Sequence, residues 1–231
     1  MAIASWLHLG RSALEAGMLP SAAKSVARRL RSNVEAVGLR RDLAVPFEAP
    51  RAAIPIEVRP LAERDIPHLL EPNVAQLSAE ERWDRASRKR LLEAGFGAPH
   101  VAVTDGDVPC YVQWLFGHKD NEFLGEYFHG AFPALAVDEA LLEGAFTPAA
   151  FRGKRIMSAA MASIAERGTD LGARWVLTFV GTENTASLKG CARAGFSTYT
   201  GRLQEWRAFR CRTSFRPLDR PGGATGTSAA R

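Results

Sequence analysis

The stretch from residue 138 to 196 constrains the fold most, because it alternates extended and helical character with almost no slack between elements. Residues 138–147 read as a strand. A tight loop containing Pro148 and Gly153 follows, and then a helix with Met161, Ile164 and Ala165 on one side. Gly168 and Gly172 close that helix. Residues 174–180 (RWVLTFV) are an apolar run of the length of a buried strand, and 184–194 form another helix. Gly195 then takes the position where helices commonly end in a left-handed residue.

The preceding chain fits the same architecture. Residues 56–61 alternate like a short strand, Asp65 caps a helix with Pro67 in its first turn, and 78–94 form a charged helix. Arg82, Arg85, Arg88 and Arg90 make one side of that helix basic. Asp105-Gly106-Asp107 between the alternating runs 100–104 and 110–116 is a hairpin signal. Residues 118–132 mix aromatic and polar side chains and read as a loop or short helix over the sheet. Residues 196–215 supply one or two final strands, with a turn near Gly201. The order predicts an α/β chain of mixed α+β character, a mixed sheet with helices on both faces.

The ends read differently. Residues 5–18 fit a helix closed by Leu19-Pro20, and 21–37 a second one, with Ser21 as N-cap and Val26, Leu30, Val34 and Val37 at helical spacing. The formal charge is +5, and seven basic against three acidic residues fall before residue 43, so the excess is concentrated here. Such a helix either lies on an anionic membrane or acidic partner, or docks its valine stripe and leaves its arginines in solvent. Pro46, Pro50 and Pro55 mark an extended linker. The expected organisation is a basic helical extension and linker at 1–50, a main domain at 51–218 and a disordered tail at 219–231 (DRPGGATGTSAAR). No apolar run reaches the roughly 18 residues of a membrane span. The three cysteines have no Cys-x-x-Cys spacing, so a reduced, cytoplasmic protein is expected. The histidines show no metal-ligand spacing, so no metal is expected.

The loop between the strand at 138–147 and the next helix carries the chemistry. A strand passing through a glycine turn into a helix gathers open N–H groups and the positive helix end at one point. Arg152, Lys154 and Arg155 surround that point, so phosphate or pyrophosphate is the natural occupant. Arg152-Gly153-Lys154-Arg155-Ile156-Met157 aligns with the Arg/Gln-x-x-Gly-x-Gly/Ala loop of the GNAT superfamily, the Gcn5-related N-acetyltransferases. Asn184, Ser187, Arg193, Gly195 and Phe196 fall in register with that family's later motif, Asn-x-x-Ala-x-x-x-Tyr-x-Lys-x-Gly-Phe. The chain thus resembles the superfamily over the two motifs, and in element order from about 54 to 215. Arg155, Met157 and Cys191 depart from it: they stand where glycine, glycine or alanine, and tyrosine are usual.

The resemblance implies the GNAT fold and acetyl-CoA or another acyl-CoA as co-substrate. Its pyrophosphate would lie on the N–H groups of Arg152, Gly153, Lys154, Arg155, Ile156 and Met157. The strand before the loop would splay from the strand at 175–180, with pantetheine in the gap against Ala145, Phe146 and Thr147, and with Asn184 and Ser187 alongside. The implied reaction is acetyl transfer to a primary amine by direct attack, an N-acetyltransferase; the alternative is an inactive acyl-CoA-binding or protein-interaction module. A backbone N–H near Phe146 would stabilise the oxyanion. Glu143, a charge in an apolar strand, is either the base or a structural carboxylate, with Glu139 a poorer candidate. Cys191 takes the place of the tyrosine that commonly protonates the thiolate; it is either reactive or a small buried helix residue. His118 and His129 are candidate bases through water. Asp120, Glu122, Glu126 and Tyr127 hint at a cationic acceptor. The expected acceptor is a small-molecule or protein amine. No nucleic-acid recognition motif appears, and homodimers are common in the superfamily.

Overall fold

The computed structural model describes residues 19–218; the helix expected at 5–18 and the tail at 219–231 lie outside the described residues. Helix α1 (Leu19–Leu30) runs directly into strand β1 (Arg31–Asp42). The helix expected to continue to Val37 therefore ends seven residues early. From Val34 the burial alternates as a strand requires up to a bulge between Gly38 and Leu39, with Ala36 and Leu39 almost fully covered, and Val34, Val37 and Gly38 disfavour helix. Val34 and Val37 are spaced for either structure, and pairing partners far along the chain decide the outcome. Residues 31–42, which the charge pattern grouped with a helical extension, are part of the sheet.

Strand β2 (Ile56–Pro60), the short helix α2 (Ile66–Leu69) and helix α3 (Ala79–Glu93) follow. Ser78 caps α3 by accepting a bond from Glu81 N–H. The expected hairpin is β3 (Ala98–Thr104) and β4 (Pro109–Gly117), turned at Asp107 with left-handed φ. Helix α4 (Asn121–Tyr127) fills the aromatic segment. Then come β5 (Glu139–Phe146), α5 (Ile156–Glu166), β6 (Trp175–Gly181), α6 (Thr185–Arg193), β7 (Ser197–Arg207) and β8 (Arg210–Pro217). Among the described residues these make one eight-stranded sheet in the order β2-β3-β4-β5-β6-β1-β7-β8. Every neighbouring pair is antiparallel except β5 and β6. One face packs α5 and α6 over Leu142, Val176 and Val180; the other packs α2, α3 and α4 over Trp114, Phe116 and Leu177.

The final turn is not at Gly201, which sits mid-strand opposite Arg216, but at Ala208 and Phe209, both with positive φ. Neither residue favours that conformation. Tertiary bonding explains it. The turn N–H groups donate to Arg29 O (2.9 Å) and Leu30 O (2.8 Å), carbonyls at the end of α1 that the helix itself leaves open.

Arg41 anchors β1 to the helical layer. It is 4% exposed, and its guanidinium donates to Ala162 O on α5 at 3.1 Å and to Ala194 O beyond α6 at 3.5 Å, and pairs with Glu166. Its guanidinium carbon lies 4.4 Å from the Phe47 ring centroid. Replacing Arg41 by Met returns the half-exposed Glu166 to water but leaves both carbonyls short of a donor. The expected loss is about 2–4 kcal/mol in urea unfolding. A change below about 0.5 kcal/mol would show that β1 is held by its strand partners alone.

Candidate active site

β5 and β6 run parallel for three register pairs, Glu139 with Trp175, Ala140 with Val176 and Leu141 with Leu177, and then part. The cause lies on the other edge of β5. Its pairing with β4 passes from Glu143 opposite Trp114 to Phe146 opposite Val112, so two β5 residues, Gly144 and Ala145, face one skipped residue of β4. This is a β-bulge, which bends its strand. Gly144 has φ +71°, and a Cβ there would meet the Trp114 ring at 2.9 Å, so glycine is needed on both counts.

The parting opens a cleft of about 180 Å³ between the strands, lined by Glu143, Gly144, Ala145, Thr178, Phe179, Asn184, Ser187 and Cys191. A wider groove of about 860 Å³ shares Arg88, Ala145, Met157, Asn184 and Ser187 with it and continues over the loop before α5. Gly153 (φ +80°) and Arg155 (φ 57°) are both left-handed, and this twists the loop into the helix. The N–H groups of residues 153–158 have no backbone or side-chain acceptor among the described residues. Six open donors thus converge at the positive end of an eleven-residue helix.

The structure places the sequence-predicted residues as follows. Phe146, Thr147, Arg152, Gly153, Arg155, Ile156 and Met157 line the groove; Ala145, Met157, Asn184 and Ser187 line both spaces. Asn184 also caps α6 by accepting from Ser187 N–H at 3.0 Å. Lys154 stands apart: its carbonyl accepts from Ala53 N–H and its ammonium lies over the Phe151 ring, so its side chain does not line the groove. Phe146 is back in register with β4, so the backbone displaced from the ladder is that of Gly144 and Ala145. Met157 does not close the loop; its sulfur packs against Gly190, where a Cβ would come within 3.1 Å of it.

Glu143 keeps a narrow contact with solvent through the cleft, while protein surrounds it otherwise. That burial raises its pKa above the ordinary carboxylate value, opposed by the Gly144 backbone, Arg88 and Arg202. Glu139 instead accepts from Ala136 N–H at the start of β5. Cys191 is fully buried, 3.8 Å from the Met161 sulfur, and burial pushes its thiol pKa up to about 12. It is protonated at neutral pH and therefore a poor nucleophile. His118 lies at the start of the turn before α4, and His129 packs edge-on to Trp206; neither lines the cleft or the groove. Asp120 binds Gly117 N–H, and Glu122 and Glu126 point to solvent, so α4 brings no carboxylate to the cleft.

Three residues at the site were not picked from the sequence. Arg88 on α3 donates to Ala145 O (3.1 Å) and lies 3.4 Å from Gly144 O, braced by Asp84 at 2.9 Å. Tyr111 donates its hydroxyl to Gln113 Oε1 at 2.7 Å; Gln113 borders the cleft and Tyr111 the groove. The basic side of α3 was legible, but Arg85 turns inward to Glu81 and His68 O while Arg88 reaches the bulge, and only packing separates them. Iodoacetamide applied to the native protein should label the part-exposed Cys211 and spare Cys110 and Cys191, read by mass spectrometry. Labelling of Cys191 at neutral pH would restore it as a reactive thiol.

No protein-family model matches the chain, and no curated protein matches it significantly. Solved structures do. An acetyltransferase of the GNAT family from Colwellia psychrerythraea aligns with TM-score 0.50 at 13% identity, covering 77% of this chain and 57% of its own. A putative GNAT acetyltransferase from Novosphingobium aromaticivorans aligns with TM-score 0.47 at 13% identity, covering 75% and 64%. The protein AAC(6')-Iy, solved with the bisubstrate analogue CoA-S-monomethyl-acetylneamine, aligns with TM-score 0.41 at 21% identity, covering 62% of this chain and 90% of its own. The chain spans less than two thirds of the length of the first two. The parallel strand pair that parts at a bulge, and the open helix end beside it, belong to a chain with the fold of the GNAT superfamily.

Proposed function

We propose that this protein is an acyl-CoA-dependent N-acyltransferase that moves acetyl from acetyl-CoA to a primary amine by direct attack. The observation that carries the reading is the cleft itself: two strands parted beside a raised-pKa carboxylate, running into a helix end with six open N–H donors. The pyrophosphate would rest on those donors. Arg152, whose Nε now donates to Thr147 O at 3.1 Å, would turn its charge to a phosphate. A helix N-terminus contributes about 0.3–1 kcal/mol to an anion, up to about 2 when partly buried, and each charge-assisted bond adds about 1.5–3 kcal/mol. Pantetheine amides would take the place of Arg88 and Arg152 at the carbonyls of residues 144–147.

Glu143 then accepts a proton from the acceptor's ammonium group and leaves a neutral amine. The amine lone pair attacks the thioester carbonyl carbon. The carbonyl oxygen becomes an oxyanion, for which the backbone N–H of Ala145 in the displaced bulge would be the donor, the Gly144 N–H being held by Glu143. The C–S bond breaks with its electron pair on sulfur, and the second amine proton passes to the thiolate or to water. Cys191 is a poor candidate for the acid, because burial pushes its thiol pKa up to about 12.

Calorimetric titration of the full chain with acetyl-CoA should show micromolar binding, weakened about tenfold or more by Arg152→Ala. Absence of binding at millimolar donor would remove the reading. Glu143→Gln should leave donor binding intact and lower kcat/KM by about 10²–10⁴. It should also abolish the acidic limb of the pH–rate profile, which in the wild type lies above the usual glutamate value of about 4.3. The same burial has a stability consequence. Because the folded pKa exceeds the unfolded one, the folded state binds more protons between them, and stability falls as pH rises through that window. Glu143→Gln should therefore be more stable than the wild type in urea at pH 7, with the gap closing below about pH 4. Equal stability at both pH values would show that the carboxylate is solvated.

A further inference from the structure

Arg202 on β7 is only partly answered by the protein around it. Its Nη1 donates to Ala131 O at 2.9 Å, and its Nε is buried without a partner. Arg41 and Arg85 also have an unpartnered Nε, but each holds a carboxylate through another nitrogen, Glu166 and Glu81. Among the described residues Arg202 has no such carboxylate. Buried polar groups in native folds are nearly always satisfied, so an orphaned guanidinium N–H calls for a partner that comes and goes.

The place is built rather than incidental. The guanidinium carbon lies 5.6 Å from the Phe132 ring centroid and 5.2 Å from that of Phe179, and these two rings are 5.5 Å apart. Two aromatic rings flank the cation and restrict where it can point. Phe179 also lines the cleft that contains Glu143, so Arg202 sits one ring away from the proposed base. Glu143 and Arg202 are close enough to feel each other's charge, and Arg28 adds a second positive charge beside Arg202. Arg88 lies on the cleft as well. The charged residues lining the cleft are Glu143 and Arg88, with Arg202 behind the Phe179 ring, whereas Glu122 and Glu126 of α4 are exposed to solvent.

We infer that the acceptor is an amine that also carries a carboxylate, as an amino acid does, with Arg202 receiving the carboxylate through its unpartnered N–H groups while Glu143 faces the amine. The roles match the chemistry. A planar guanidinium binds a carboxylate in a two-pronged fashion, and the anion so held leaves the ammonium end directed at the base. An amine of the same shape without the anion would leave the guanidinium unsatisfied in the complex, and this is how a polar site rejects a near-isostere. The inference rests on the acyltransferase reading only for the identity of the reacting end.

The test uses the full-length chain with free α-amino acids and their carboxamides as paired probes, and has two arms. In the first, binding to the protein saturated with desulfo-CoA is measured by calorimetry, with no turnover required. In the second, thiol release from acetyl-CoA is followed with each probe. The expected result is that one or more amino acids bind and react while the matching carboxamides are weaker by about 30-fold or more. In the binding arm, Arg202→Gln should erase that difference by weakening the acid far more than the carboxamide while acetyl-CoA affinity holds, and Arg202→Lys should recover part of it. Turnover of amines with no preference for the carboxylate, or equal loss for acid and carboxamide in Arg202→Gln, would overturn the inference and leave the acyltransferase reading standing. Arg202-dependent amino-acid binding without thiol release from any probe would uphold this site and overturn the transfer reading.

Discussion

The cleft of this molecule depends on two strands that begin as neighbours and do not remain so. β5 and β6 share only three register pairs. Beyond Leu141 the bulge at Gly144 and Ala145 turns β5 away, and its bent backbone is braced from the α3 side by Arg88 on the exposed carbonyls. A gap in a sheet leaves unpaired backbone groups, which is costly unless something satisfies them. Here guanidinium groups hold two of the carbonyls, Ala145 O by Arg88 and Thr147 O by Arg152, and both can be exchanged for the amides of a bound chain. In the proposed function the gap is the donor's surface, with Arg88 and Arg152 on its carbonyls.

The second requirement is that the sheet on the far side of the gap stay put. β6 is held from behind by β1, which pairs with it over seven positions and with β7 on its other edge. Gly38 lets the strands approach closely: a Cβ there would meet Thr200 at 2.4 Å and Phe179 at 2.8 Å. Arg41, at the end of the same strand, ties the sheet to the C-terminal parts of α5 and α6. The helix whose N-terminus gathers the open donors is therefore secured by the strand nearest the start of the described chain. Helix α1 in turn is closed by the strained turn at Ala208 and Phe209.

Much of this was legible. The periodicity of 138–196 marked strand, loop, helix, strand and helix, and the Gly153 loop with Arg152 and Arg155 pointed to an anion before any contact was known. Glu143 stood out as a charge in an apolar strand, and the structure finds it in the cleft. Arg88, Tyr111 and Gln113 gave no such sign. Arginines at 82, 85, 88 and 90 look alike in a pattern, and Tyr111 and Gln113 lie in a strand buried along its whole length, so their positions read as core. Residues 31–42 hide their strand for a related reason: Val34 and Val37 satisfy a helical spacing, and only partners more than a hundred residues away make them a strand.

By itself, the sequence determined what short-range chemistry controls. It set the order of strands and helices by apolar periodicity, the glycine turn that frees backbone donors, and the types of charged residue near it. The tertiary structure alone decided which of those residues meet. A bulge acts on a neighbouring strand, a guanidinium reaches carbonyls more than fifty residues away, and a burial shift depends on every atom packed around a carboxylate. The influence of the Arg88 and Arg202 charges on Glu143 is of this kind. It arises because three elements distant in sequence converge where two strands separate, and no local pattern records that convergence.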